Sequence, residues 1–556
     1  MRERTGWDVV VSALVAEGVE YVFGIPGNPA DLYDALYDEP RVRPVLVRHE
    51  AAGGFMAMAY ALVSGRPAVC YAPPGPGIAH LVAPMLESLA TCAPIITPCP
   101  GVDTAIEGRG AFQESDHLAM MRPVTKWAHR VASPETITWA MHRAFSIATN
   151  GQPGPVFLEI PPNAGRAPVA GEQYVPSLQR VRSSADPAWV DKAARLLCTS
   201  HNPVIVAGGG VRHSRGHEPL IDLARALGAP VLTTPSGRGC LAEDDPLSVG
   251  QVGLYRTLLG RRLLEEADVV LAVGTRLEQT QTGTWGWFPR DSKLIRIDIC
   301  AEELSRNLVP TIPLLGDAQL VLRQLLAGVK ELGPSSSATD RCKRIAEQKD
   351  SYEAQVEAEC LTVESLKSKR VVYEINRVFG KNTILIHENG SQDLWSYYSP
   401  YYRVLDLDGS VAPGEQTCMG AGVMGAVGAK LARPDRQVVC VTGDGAFQMY
   451  NQDIPTAVQM KTPITWIILN NDSLGWIKYR EQLLGERYIA VDFDAQPDFA
   501  VLARSYGCYA ERVTDQDSVA PALQRARSAN KAGQPAVIVC EVDSSDLPEA
   551  FREYAR

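Results

Sequence analysis

The chain predicts an α/β protein made of three parallel-sheet α/β domains, and two observations carry that expectation. Short apolar runs alternate with helical segments along most of its length, the pattern of parallel strands covered on both faces. Two turns rich in oxygen-bearing side chains, Gly443-Asp444-Gly445 and Asn470-Asn471, directly follow two of those runs. A chain of 556 residues has room for three or four domains, and 46% hydrophobic with 21% charged residues is an ordinary globular balance.

Each block can be justified in order. In the first, strands are expected at residues 21–25, 44–47, 68–72 and 94–98, with helices between them. In the second, the runs at 203–207, 229–233, 269–273 and 293–298 repeat the pattern; Gly208-Gly209-Gly210 is a strand-end turn and no full GxGxxG occurs. The third begins at Val371 and holds the strands 437–442, 464–469 and 536–542. Domains are therefore drawn at 1–182, 187–331 and 370–556, with 332–369, a Pro/Ser stretch and a charged helix-like segment, as a linker.

Composition removes several function classes. A net charge of −10 argues against a general nucleic-acid-binding surface. The twelve cysteines show no CxxC pair or zinc-ligand spacing and read as idle thiols of a reducing compartment. No signal-peptide h-region follows Met1, and no apolar run approaches the roughly 18 residues of a membrane span, so no membrane partner is expected and the cytoplasm is the expected location. The chain stops soon after the last expected strand, which leaves little room for a C-terminal lid.

The chemistry is read from the two turns. A metal-bridged diphosphate needs hard oxygen ligands from neighbouring strand ends. Asp444 offers a carboxylate, Asn471 an amide oxygen and Ser473 a backbone oxygen. Mg²⁺ takes about six oxygens at roughly 2.0–2.1 Å, several of them from phosphates and water. Gly443 and Gly445 let backbone approach a phosphate, and a helix starting near Ala446 would point free N–H groups at it. GDG alone is a common turn; with the asparagine pair and both strands it resembles the thiamine-diphosphate motif. In the first block, His49-Glu50 opens a helix directly after a strand. Thiamine catalysis needs one carboxylate against the aminopyrimidine N1′, and Glu50 is the candidate. The plainer alternative is an acid favoured by the helix macrodipole.

Over nearly its whole length the chain resembles the acetohydroxyacid synthase / pyruvate oxidase family of thiamine-diphosphate enzymes. The stretches that carry the likeness are FGIPG at 23–27, RHEAA at 48–52, GPG at 75–77, GAFQE at 110–114, RPVTK at 122–126, VGTR at 273–276, GDG and NN. The resemblance implies pyrimidine, central and diphosphate domains, thiamine diphosphate with Mg²⁺ as cofactors, and a homodimer or homotetramer in which Glu50 and Asp444 meet across two chains. It places Phe112 and Gln113 on the active-site wall, Met419 under the bent cofactor, and Ser391 and Gln392 at the diphosphate. Gly27, Asn28, Arg276, Trp476 and Arg480 fall at substrate positions, with Arg276 as a carboxylate clamp.

Departures from the family pattern bear on the substrate. Arg480 stands where synthases that prefer 2-oxobutyrate carry a tryptophan, and Trp476 replaces a smaller residue. That exchange points to an anionic or polar acceptor. After Arg276 the run Leu-Glu-Gln-Thr differs from the flavin-containing members, which counts against FAD, and Pro73-Pro74 counts against a histidine-assisted decarboxylase. The expected activity is a carboligase that decarboxylates a 2-oxo acid and transfers the acyl unit to a second carbonyl compound. The alternatives are a 2-hydroxyacyl-CoA lyase or 2-oxo acid decarboxylase, and, from another class, a non-catalytic regulatory subunit of the same fold.

Overall fold

The computed structural model describes residues 3–27, 31–169, 174–177, 180–333 and 337–555. The chain forms two compact units. One gathers Met1–Val181, Gln416–Pro434 and Tyr450–Thr462; the other gathers Arg182–Glu415, Asp435–Met449 and Pro463–Arg556.

The first unit is built on six parallel strands: β1 (Tyr21–Gly24), β2 (Arg43–Leu46), β3 (Ala68–Tyr71), β4 (Ile95–Pro100), β5 (Trp127–Arg130) and β6 (Val156–Ile160). Their order is β2-β1-β3-β4-β6-β5. Val22, Val69, Ile96 and Leu158 carry the core on one face, where β-branched and leucine side chains stack on the pleat. The helix Glu50–Ser64 is rich in Ala, Gly and Met and is buried from Glu50 through Ala61. It can be buried all round because a second small-residue helix, Ala421–Ala432, packs along it. A Cβ on Gly428 would fall 1.9 Å from the Met56 carbonyl oxygen, so only glycine permits this approach.

The second unit carries two further six-stranded parallel sheets. One contains β7 (Pro203–Ala207), β8 (Val231–Thr233), β9 (Ser248–Gln251), β10 (Val269–Val273), β11 (Lys293–Asp298) and β12 (Ile312–Leu315), in the order β12-β11-β10-β7-β8-β9. The other contains β13 (Thr383–Ile386), β14 (Ser410–Val411), β15 (Gln437–Gly443), β16 (Thr465–Asn470), β17 (Tyr509–Val513) and β18 (Ala536–Glu541), ordered β14-β13-β15-β16-β18-β17. Within the expected linker, Ala338–Leu361 is a long helix with its own buried stripe, including Ile345 and Val356. Its Lys349 Nζ donates to the carbonyls of Glu243 at 2.7 Å and Asp245 at 2.6 Å. Arg238, fully buried, pairs with Glu243 at 2.7 Å and donates to the carbonyls of Ser396 and Tyr402, so one guanidinium ties the two sheets together. Such a pair is tolerated in the interior because each guanidinium nitrogen donates to an acceptor.

One feature of this topology places the chemistry. β15 and β16 are parallel neighbours in register, Gly443 opposite Leu469. The GDG and NN turns therefore leave the same carboxyl edge side by side, where open α/β sheets bind ligands.

Candidate active site

In the second unit the two turns converge. Asp444 is the first residue of the helix Asp444–Tyr450, so the helix begins two residues before Ala446. The reason is local: Asp444 is an acid in the first turn, and N–H groups at Asp444 and Gly445 bond its carboxylate. Ala446 is buried behind it. Asp444 is itself buried, which pushes its carboxyl up to about 6, while hydrogen bonds from this turn and from Gln496 work against that rise. Gln496 Nε2 donates to Asp444 Oδ2 at 2.6 Å. The Asn471 amide, oriented by its neighbours, donates through its nitrogen to Asp444 Oδ1 at 3.1 Å and to the Ser473 carbonyl at 3.0 Å, and its oxygen accepts from Ser473 Oγ at 3.2 Å. Two acceptors thus aim at one point between neighbouring strand ends, an arrangement a hard cation fits.

Ser391 borders this point through Gly475. Ser391 and Gln392 are both buried; Gln392 Oε1 accepts from Ser368 Oγ at 2.7 Å. A Cβ on Gly475 would lie 2.2 Å from Ser391 Oγ and 2.8 Å from the Asn471 side-chain amide, so this glycine is where Ser391 meets the asparagine turn. Trp476 and Arg480 lie on the helix Gly475–Leu483. Trp476 packs edge-on against Phe551 of the C-terminal helix Glu549–Ala555, ring centroids 4.5 Å apart, and Arg480 is exposed near Tyr554. The Glu553 carboxylate of that same helix pairs with Arg256 and, at 3.0 Å, with Arg261. The short tail thus holds a helix that the sequence alone did not suggest. Arg276 follows β10 and pairs with Glu278 at 3.3 Å.

Two residues escaped the sequence reading here. Asp393 is fully buried, and burial pushes it up to about 7 against a hydrogen bond from its own N–H. Gln496 braces Asp444 from a distant loop. Asp393 adjoins Ser391-Gln392 in sequence and could have been flagged; nothing local marks Gln496.

In the first unit Glu50 opens its helix and is buried. His49 is the N-cap, its Nδ1 accepting from Ala51 N–H at 3.2 Å. The segment before it is pinned by Asp453, which accepts from Arg48 N–H at 2.7 Å. Gly77 lies beside Glu50 Oε1 and Pro73, Gly27 beside Pro73, and Gly75 beside Gln113. Four of the sequence stretches that were singled out therefore meet in one place. Gln113 adopts a positive φ of 60°, and the adjacent Phe112 is exposed. Met419 is half-buried just before Gly420. Asn28 lies outside the described residues. The Glu50 Oε2–His80 Nδ1 contact of 2.8 Å was not foreseen.

Comparison with known proteins decides the family. Three family descriptions match in order: "Thiamine pyrophosphate enzyme, N-terminal TPP binding domain" over residues 4–120, the central domain over 190–325, and the C-terminal TPP binding domain over 390–540. A probable acetolactate synthase large subunit of Methanocaldococcus jannaschii is 34% identical over 95% of this chain and 90% of its own. The chain belongs to the acetolactate synthase family of thiamine pyrophosphate enzymes. The acetolactate synthase large subunit of Corynebacterium glutamicum is 33% identical over 96% of this chain and 86% of its own; that of Haemophilus influenzae is 31% identical over 95% and 93%. As a member of this family the chain is a thiamine-diphosphate-dependent enzyme of carbon–carbon bond formation, acting on small molecules. Among the described residues no helix is long and apolar enough to cross a membrane.

Proposed function

We propose that this acetolactate synthase relative decarboxylates a 2-oxo acid such as pyruvate and joins the acyl unit to a second, polar or anionic carbonyl compound. The observation that carries the site is the convergence of Asp444 Oδ1, the Ser473 carbonyl and the Asn471 amide at adjacent strand ends. These three would hold Mg²⁺, the Asn471 amide turning its oxygen inward, while Ser391, Gln392 and the Gly443–Ala446 turn receive the diphosphate. When bound, thiamine diphosphate supplies the carbanion that attacks a carbonyl. Glu50 holds the proton at the pyrimidine N1′, Met419 supports the cofactor, and Phe112 with Gln113 walls the reacting end. Gly27, Asn28, Trp476 and Arg480 shape the acceptor side, and Arg276 meets a carboxylate by sharing with Glu278. We assign no role to a flavin. We propose a homodimer or homotetramer with each active site completed by two protomers, for which the family likeness is the support, and a cytoplasmic location, for which the sequence composition is the support.

The test is to incubate the holoenzyme with pyruvate and a panel of aldehydes, 2-oxo acids and acyl-CoA thioesters, and to identify products by mass. A coupled product one acyl unit heavier than an acceptor is expected. Release of a free aldehyde without coupling would overturn the synthase reading in favour of a lyase or decarboxylase.

A further inference from the structure

His80 ends the helix Pro76–His80, and its Nδ1 lies 2.8 Å from Glu50 Oε2. In the single chain the Glu50 side chain is 12% exposed and that of His80 is 45% exposed, so this ring stands on the open side of a buried carboxylate. His80 also stacks on His49, centroids 4.4 Å apart and planes 30° apart. The two rings have different duties. His49 accepts the Ala51 N–H through Nδ1, which requires that nitrogen unprotonated, and both burial and the neighbouring His80 hold its basicity down. His49 therefore serves as a neutral cap, and His80 is left to exchange protons with Glu50. The remaining groups that face the pair are Tyr450, edge-on to His49 at 5.7 Å, and Cys70 of β3; Arg48 is turned away onto Thr456 and Gln459.

We infer that His80 is a positioning residue and proton exit for Glu50: it fixes one carboxylate oxygen, leaves Oε1 for the pyrimidine, and connects the carboxyl to water. This rests on the role proposed for Glu50. A proton arriving on the carboxylate crosses the 2.8 Å contact to Nδ1 while the Nε2 proton is released to water, so only O–H and N–H bonds change. A hydrogen bond to a charged partner sets the scale of the effect, roughly 10- to 150-fold in rate.

The experiment measures C2–H exchange of bound thiamine diphosphate against pH in cofactor-saturated wild type, His80→Leu, His80→Gln and Glu50→Gln. Leucine should slow exchange by about 10-fold or more. Glutamine, a neutral donor of similar reach, should restore most of the neutral-pH rate yet lose one limb of the pH profile, because it holds Glu50 without titrating. A leucine variant with wild-type rate and profile would overturn the inference. Glu50→Gln separates the two failures: exchange retained in that variant removes Glu50 itself, whereas exchange lost there but unchanged in both His80 variants removes only His80.

Discussion

Asp444 Oδ1 and the carbonyl oxygen of Ser473 face the same amide nitrogen of Asn471, at 3.1 and 3.0 Å, although they leave different strands of the sheet. Removing the carboxylate should therefore undo the proposed metal site without undoing the fold. Asp444→Ala is expected to lose thiamine diphosphate on gel filtration, and its melting temperature should no longer rise when cofactor and Mg²⁺ are added, since only a ligand bound to the native state stabilises it. Stoichiometric cofactor retained after dialysis against a chelator would show that the metal lies elsewhere.

Glu50→Gln keeps the shape of the side chain and removes most of its basicity. Exchange of the cofactor C2 proton should slow by about 10²–10⁴-fold at saturating cofactor. Thiamine diphosphate affinity should change far less, and an unchanged exchange rate would take Glu50 out of the chemistry.

Gly475→Ala drives a methyl group to within 2.2 Å of Ser391 Oγ. Overpacking of this kind costs about 1–3 kcal/mol. The variant should melt lower and hold cofactor more weakly, and adding Ser391→Gly should recover part of the loss by clearing the space. Equal losses with and without the Ser391 change, in a double-mutant cycle, would place the strain elsewhere.

Asp453 gives a pH prediction. It is buried, and burial pushes its carboxyl up to about 6, although hydrogen bonds from Arg48 N–H and Thr456 act the other way. An unfolded aspartate titrates near 3.9. The folded state thus binds the extra proton between these values, and the contribution to stability is full below about pH 4 and lost as pH rises through about 6. The loss is on the order of 2–3 kcal/mol. Asp453→Asn should flatten that slope in urea titrations run from pH 4 to 7; parallel slopes for both proteins would assign the dependence to other groups.

Arg276 and Arg480 should differ in their effect on substrate choice. Methionine in place of Arg276 should lower kcat/KM roughly 10- to 150-fold for a charged acceptor and little for a neutral one of similar size. Arg480 is exposed, so its replacement should cost less. Equal losses on charged and neutral substrates would mean that Arg276 serves only its ion pair with Glu278.

The buried strands were the legible part of the fold. β10 falls where an unbroken run of Val, Leu and Ala placed it, β7 and β11 keep their expected bounds around mostly apolar cores flanked by Pro203 and by Lys293 and Asp298, and β15 and β16 match within a residue. Edge strands such as Trp127–Arg130 and Tyr509–Val513 mix aromatic, charged and apolar residues and carry no clean period; β14 is only two residues long. At the site, residues next to glycine turns could be read because their spacing is local. Gln496, His80 and Phe551 could not, since each reaches its partner through tertiary folding from a different part of the chain. The acidic start of the Asp444 helix was placed two residues late because GDG looks like a turn until its own N–H bonds are counted.

The tail helix Glu549–Ala555 leans Phe551 on Trp476 and fastens Glu553 to Arg256 and Arg261. With Trp476 at the proposed acceptor side, replacing Phe551 is expected to change acceptor preference without touching a catalytic side chain. Trimming or replacing the final few residues would remove the Phe551 contact from the Gly475–Leu483 helix, while Gly475 stays packed against Ser391 and Asn471. Selectivity would then shift through the tail while the two turns stay as they are.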